Sequence, residues 1–198
     1  MKNVSVLIMA GGKSERMCSP KPFLLIDGNT FMERIAKAYL RFGVKNIFIV
    51  LNHELVKKIP TDMDWVHIVS NAYPEYGRFY SLQTGLRQLP KDNFVFIHNV
   101  DNPFVEQYIL EKIWSKRNAN GFALPVYKGR GGHPVLICSK IARHILSVSD
   151  DSLDLRAILR QYKRIEVESD SEKVLTNINT WPEYEEKILS LIPEYCCD

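Results

Sequence analysis

Apolar residues along this chain follow two rhythms. Short continuous runs rich in Val, Ile and Phe, such as Val4-Ser5-Val6-Leu7-Ile8 and Asn46-Ile47-Phe48-Ile49-Val50-Leu51, have the pattern of strands buried on both faces. Between such runs, apolar positions recur at helical intervals, as in Phe31, Ile35, Ala38 and Phe42. The spacing predicts strands over residues 4–10, 46–51, 65–69, 94–98, 121–127, 134–138, 164–168 and 174–178, with a short extended piece at 23–26. It predicts helices from 30 to 43 and over 80–89, 105–114, 141–146, 153–159 and 182–191, with a short helical segment at 55–59. Thr30 and Glu33 have capping-box spacing, and Gly43 stops the run they open. Strands alternating with helices indicate βαβ units, so the expected fold is α/β: one Rossmann-like, three-layer domain over 1–198 with a mostly parallel, mixed sheet. The 121–127 and 134–138 strands, joined by a short glycine-rich loop, are the pair expected to run antiparallel.

Composition narrows the function classes. The 198 residues carry a net charge of +3 with the basic residues dispersed, which argues against nucleic acid as a partner, so any phosphate chemistry must be local. No stretch approaches a membrane span, and no secretory signal pattern opens the chain; a cytoplasmic location is expected. The four cysteines show neither CxxC spacing nor partnered histidines, so no zinc site or disulfide framework is expected.

The chemistry begins where the first strand ends, at Met9-Ala10-Gly11-Gly12-Lys13-Ser14-Glu15-Arg16-Met17-Cys18-Ser19-Pro20-Lys21. A Walker A loop would need glycine five positions before Gly12, and that position is Leu7. A dinucleotide fingerprint fails on its glycine spacing. What remains is a long loop whose glycines let backbone N–H groups approach a ligand while Lys13, Arg16 and Lys21 add positive charge, an arrangement suited to polyphosphate. A solvated loop whose glycines merely turn the chain is the alternative.

The segment from Leu7 to Met17, followed by Pro20-Lys21, resembles the signature of nucleotidyltransferases with a molybdenum-cofactor-transferase-like fold, L-A-(A/G)-G-x-(G/S)-x-R-M-G-x-P-K. Met9 and Cys18 are its departures. The resemblance extends through Pro182 and implies a nucleotide-diphospho-sugar transferase type of fold. It also implies Mg²⁺-dependent transfer of a nucleoside monophosphate from a triphosphate to a phosphorylated small molecule, with release of pyrophosphate. By this resemblance Ala10, Gly11, Gly12, Lys13, Ser14, Arg16 and Lys21 bind the nucleotide, with Arg16 and Lys21 as the catalytic phosphate-holding cations. Gly12, where cytidylyl members carry alanine, tilts the base toward a purine.

The same resemblance assigns roles further along. Asp101-Asn102-Pro103 matches a D-x-P metal element, and one carboxylate is chemically sufficient for Mg²⁺; a turn capping the next helix is the other reading. Asn179, in Asn177-Ile178-Asn179-Thr180, stands where relatives carry a second ligand and would serve by its carbonyl oxygen, or else cap the terminal helix. Ser81-Leu82-Gln83-Thr84-Gly85-Leu86 resembles an element that contacts the base, which puts Ser81 near it, with Arg78 as a phosphate or acceptor contact. A glycine inside a short helix, here Gly85, needs something that approaches it closely. Gly131-Gly132-His133-Pro134-Val135 resembles a segment on the acceptor side, making His133 an acceptor candidate; residues 150–156 occupy another acceptor-side position. Two other classes stay open. A glycosyltransferase would want a D-x-D pair, and a nucleotide-sensing module without turnover would explain asparagine at 177 and 179.

Overall fold

The computed structural model describes residues 3–12, 17, 19–60, 63–149 and 154–188. Strand β1 (Val4–Met9) is buried at every position. Its side chains alternate between two cores, with Val4, Val6 and Ile8 on one side and Leu7 and Met9 on the other. Both faces are covered, which is why the run lacks a polar alternation. The hairpin of β2 (Leu25–Ile26) and β3 (Asn29–Thr30) turns through Asp27 and Gly28 and leads into α1 (Phe31–Phe42). Thr30 and Glu33 form the expected capping box there, the Glu33 carboxylate accepting from Thr30 N–H at 2.8 Å.

Beside β1, β4 (Asn46–Asn52) runs parallel, and after α2 (His53–Val56) the chain adds β5 (His67–Asn71), parallel to β4. Helix α3 (Gly77–Leu86) then crosses to β6 (Phe94–Asn99), parallel to the other side of β1. After α4 (Gln107–Ser115) come β7 (Gly121–Tyr127), the two-residue β8 (Arg130–Gly131) folded back on it, and β9 (Val135–Ile137). As expected, β7 and β9 are antiparallel, and β9 is also antiparallel to β6. Helices α5 (Ser139–Ser147) and α6 (Leu155–Leu159) precede β10 (Lys163–Glu168), which closes the sheet parallel to β7, and α7 (Trp181–Lys187) follows. The sheet order is β10-β7-β9-β6-β1-β4-β5. Helices α1 and α4 cover one face and α3, α5 and α6 the other, which gives the three layers.

Several expectations change: the 80–89 helix runs from Gly77 to Leu86, and the 55–59 helical segment from His53 to Val56. Strand β5 starts at His67 and not at 65, since Val66 N–H closes a turn on the Met63 carbonyl. Residues 174–178 are not a strand: a 3₁₀ turn, Glu172–Leu175, runs into irregular chain. The polar groups of this segment are taken by loops at the sheet edge and not by a neighbouring strand. Asn102 Nδ2 donates to the carbonyls of Lys173 and Thr176, His133 N–H donates to the Val174 carbonyl, and Ile178 N–H donates to the Asp101 carbonyl.

Candidate active site

Strands β1 and β6 end side by side, and Val100 N–H donates to the Met9 carbonyl at 3.1 Å, so the chain leaves both strands at one crevice. The C-terminal edge of parallel strands is where open α/β sheets bind ligands. A cavity of about 330 Å³ opens there, and Ala10, Gly11, Gly12, Lys21, Ser81 and Asp101 line it. Arg78 lines it too and is shared with a second chamber of about 1030 Å³, in which His133 lies. Lys13, Ser14 and Arg16 lie outside the described residues.

The wall around Ser81 is built by short-range bonds. Its hydroxyl donates to the Gly77 carbonyl (3.0 Å) and accepts from Asn71 Nδ2 (2.9 Å), while Asn71 Oδ1 accepts from Tyr73 N–H (2.9 Å). The end of β5 is thereby tied to the start of α3, and residues 74–78 stand along the crevice. Gly85 has a different purpose from ligand approach. A Cβ there would sit 2.6 Å from Leu7 Cδ1 and 2.7 Å from Val50 Cγ2, so it is the sheet that comes close. The missing side chain lets α3 lie on β1 and β4 and present Arg78 and Ser81 to the cavity.

Below Asp101 lies a buried polar knot. His98, fully buried, donates from Nε2 to the Asn102 carbonyl (2.8 Å) and accepts at Nδ1 from the Tyr39 hydroxyl (3.0 Å). Burial pushes the His98 imidazole down to about 4, against the pull of the Asn102 carbonyl. Asn99 Nδ2 lies 2.7 Å from His133 Nε2. Burial, and then the charges of His98, Arg78 and Arg156, push His133 down to about 3. Both rings are neutral at pH 7. His133 is partly buried and lines the larger chamber, but its Nδ1 is buried with no hydrogen-bond partner, as is Asn99 Oδ1. At Gly132 a Cβ would collide with the Val174 carbonyl, so only glycine lets the 172–178 segment pass against this loop.

The C-terminal segment clasps the other side of the crevice. Lys21 Nζ donates to Asn179 Oδ1 at 2.7 Å. Asn179 does not line the cavity and meets it through this lysine. Its N–H donates to Glu183, whose carboxyl is held below the ordinary range chiefly by that bond. Trp181 Nε1 donates to the Met17 carbonyl (2.8 Å), and the Tyr184 hydroxyl donates to the Leu25 carbonyl (2.7 Å). The glycine loop is thus anchored by side chains from the far end of the chain.

The larger chamber gathers Arg130, Arg160 and Arg164, which local reading passed over, and Arg156 of the acceptor-side segment 150–156, of which residues 150–153 lie outside the described residues. Arg130 of β8, Arg156 of α6, Arg160 at the C-terminal cap of α6 and Arg164 of β10 line it together with Arg78. Arg156 and Arg160 are four apart, one helical turn, which was the available signal. Asn99 borders both cavities and had no signal of its own.

A divalent cation fits this site in one mode. Among the described residues no group of three or more His, Cys, Asp or Glu converges. Asp101 supplies a carboxylate at the cavity wall, and Mg²⁺ commonly takes one or two carboxylates and completes its shell with phosphate and water. The Asn179 amide oxygen is engaged by the Lys21 ammonium.

Among the described residues no helix is long and apolar enough to cross a membrane. Comparison with known proteins agrees with the geometry. Residues 6–165 match the model of the MobA-like NTP transferase domain. The chain is 24% identical over 182 residues to the molybdenum cofactor cytidylyltransferase of Escherichia coli K12, covering 91% of this chain and 93% of that protein. It is 31% identical over 130 residues to 2-C-methyl-D-erythritol 4-phosphate cytidylyltransferase of Bacteroides fragilis, covering 62% of this chain and 58% of that one. Its fold is that of Rv0371c from Mycobacterium tuberculosis H37Rv, solved as a manganese complex, with a TM-score of 0.72 at 17% identity over 94% of this chain and 98% of that one. A glycine-lined crevice at the β1 and β6 ends, and a family match that spans most of the chain, make this an enzyme of the nucleotidyltransferases: it belongs to the MobA-like NTP transferase family.

Proposed function

We propose that the protein moves a nucleoside monophosphate from an NTP onto the phosphate of a small-molecule acceptor, in a Mg²⁺-dependent reaction that releases pyrophosphate. One observation carries this reading: the Gly11-Gly12, Lys21 and Asp101 crevice shares Arg78 with a larger arginine-lined chamber, so a donor and an acceptor can lie against each other. An acceptor phosphate oxygen then forms a bond to the α-phosphorus as the bond from that phosphorus to the β-phosphate oxygen breaks. The electron pair leaves with pyrophosphate. A phosphate oxygen is already a nucleophile, so alignment and charge neutralisation supply the catalysis. Gly11 and Gly12 offer backbone at the triphosphate, Ser81 borders the nucleoside, and Lys21, with Arg16, holds phosphate oxygens. Asn179 keeps the Lys21 ammonium at the crevice mouth. A divalent ion held by Asp101 would neutralise charge developing on the phosphates.

The two named relatives are cytidylyltransferases, which makes CTP the first donor to try, against the purine tilt at Gly12. The test is a melting series with ATP, GTP, CTP and UTP, each with and without Mg²⁺, since a ligand that binds the native state raises its apparent stability. One triphosphate is expected to stabilise strongly with Mg²⁺ and to yield pyrophosphate with a phosphorylated acceptor. Stabilisation without pyrophosphate release from any acceptor would favour a sensing module instead, the reading to which asparagine at 177 and 179 points.

A further inference from the structure

The larger chamber is unusual in its charge and its floor. Arg78, Arg130, Arg156, Arg160 and Arg164 reach it from four separate elements: α3, β8, α6 and β10. Among the described lining residues its one carboxylate is Asp154, and that side chain accepts the Ala157 N–H at 2.7 Å as the cap of α6. Arg164 is balanced by Glu166 at 2.8 Å, outside the lining. His133, whose Nε2 lies 2.7 Å from the Nδ2 of Asn99, a residue that borders both cavities, is neutral. The remaining positive charge exceeds what one phosphate needs.

Beside the arginines the chamber wall is apolar. Phe79, Phe122, Leu124 and Leu159 form it, and Tyr76, half exposed and stacked on Tyr73 at 5.4 Å between ring centroids, flanks the chamber. The volume of about 1030 Å³ is at the upper end of the range that holds drug-sized ligands. A short alcohol phosphate would leave most of this surface wet, and an acceptor carrying an ammonium group would meet arginines with no free carboxylate among the described lining residues to offset them.

We infer that the acceptor is a phospho-compound with a second anionic group on an apolar, ring-sized body: its reacting phosphate sits by Arg78, Arg156 and His133, its body lies on Phe122 and Leu124, and its second anion meets Arg130 and Arg160. This inference rests on reading the chamber as the acceptor side of the proposed transferase. Arginine suits both anions because its planar fork holds phosphate, carboxylate or sulfonate through paired charge-assisted bonds.

The experiment is calorimetric titration of the full chain with three probes: phosphocholine, 1-naphthyl phosphate and a 1-naphthyl phosphate bearing a sulfonate on its second ring. The sulfonated probe is expected to bind roughly tenfold more tightly than either other probe, the scale of one charge-assisted contact. Arg130→Gln and Arg160→Gln should each remove most of that gain, with 1-naphthyl phosphate affected little. Phosphocholine binding as tightly as the sulfonated probe, binding by none of the three, or arginine variants that leave the gain intact would overturn the inference. The melting series with NTPs runs alongside. Stabilisation by an NTP without probe discrimination sinks this inference and leaves the transfer reading standing; discrimination without NTP stabilisation overturns the transfer reading and with it the acceptor assignment, leaving the chamber a site for a dianion.

Discussion

Gly85→Ala isolates the contact that sets α3, and with it Arg78 and Ser81, on the sheet. In an open helix this change stabilises by about 1 kcal/mol, because alanine restricts the unfolded chain and favours helix. Here the added methyl would stand 2.6 and 2.8 Å from the two Leu7 δ-carbons and 2.7 Å from Val50 Cγ2. Leu7 and Val50 are fully buried on neighbouring central strands packed on both faces, so neither can swing into open space. Overpacking of such a site costs typically 1–3 kcal/mol, and three simultaneous contacts put this one at the upper end. Subtracting the helix gain leaves a net loss of about 2 kcal/mol, which in a chain of this size lowers Tm by roughly 4–8 °C. Urea unfolding and calorimetric melting would measure it. In a Leu7→Ala background the methyl finds room, and the added cost of Gly85→Ala should shrink markedly, a coupling that a double-mutant cycle reads directly. A Gly85→Ala protein that melts at or above the parent temperature, or a cost unchanged in the Leu7→Ala background, would refute the close-packing argument.

Trp181→Phe keeps a ring beside Tyr184 but loses the N–H to the Met17 carbonyl; KM for the triphosphate should rise several-fold while Tm moves by no more than a few degrees, and an unchanged KM would remove the clasp from nucleotide binding. Lys21→Ala and Asp101→Ala should each lower turnover by about a hundredfold or more with little change in melting, and a fully active variant would take that residue out of the mechanism. Acid should destabilise the fold through its two neutral histidines. Unfolding restores the ordinary value of 6.5, so stability is full above that pH and falls as pH drops toward about 4 for His98 and about 3 for His133. His98 alone accounts for roughly 3 kcal/mol lost between pH 7 and pH 4, and urea midpoints over that range should flatten in His98→Gln; a slope the same in both proteins would show that other groups carry the acid sensitivity.

The elements that were readable in advance share a cause. β1, β4, β6 and β7 are buried on both faces and therefore write continuous apolar runs, and the α1 cap joins residues three apart, Thr30 and Glu33. Such signals are local. The 174–178 segment has the Val, Leu and Ile of a strand, yet the partners of its backbone are an asparagine amide and two loop residues more than forty positions earlier in the chain. Gly85 shows the same limit from the other side: that something approaches it follows from its place in a helix, but that Leu7 and Val50 do so requires the packed sheet.

By itself the sequence determined the βαβ alternation, the glycine loop at the end of the first strand and the presence of Asp101 at the end of another, because period, turn chemistry and capping act over a few residues. Only the tertiary structure decided that Asn179 holds Lys21 across 158 positions, that Trp181 ties down the glycine loop, and that arginines from four elements surround one apolar chamber. Such contacts arise from closing long loops over a shared core, and nothing in the local pattern of either partner records the other.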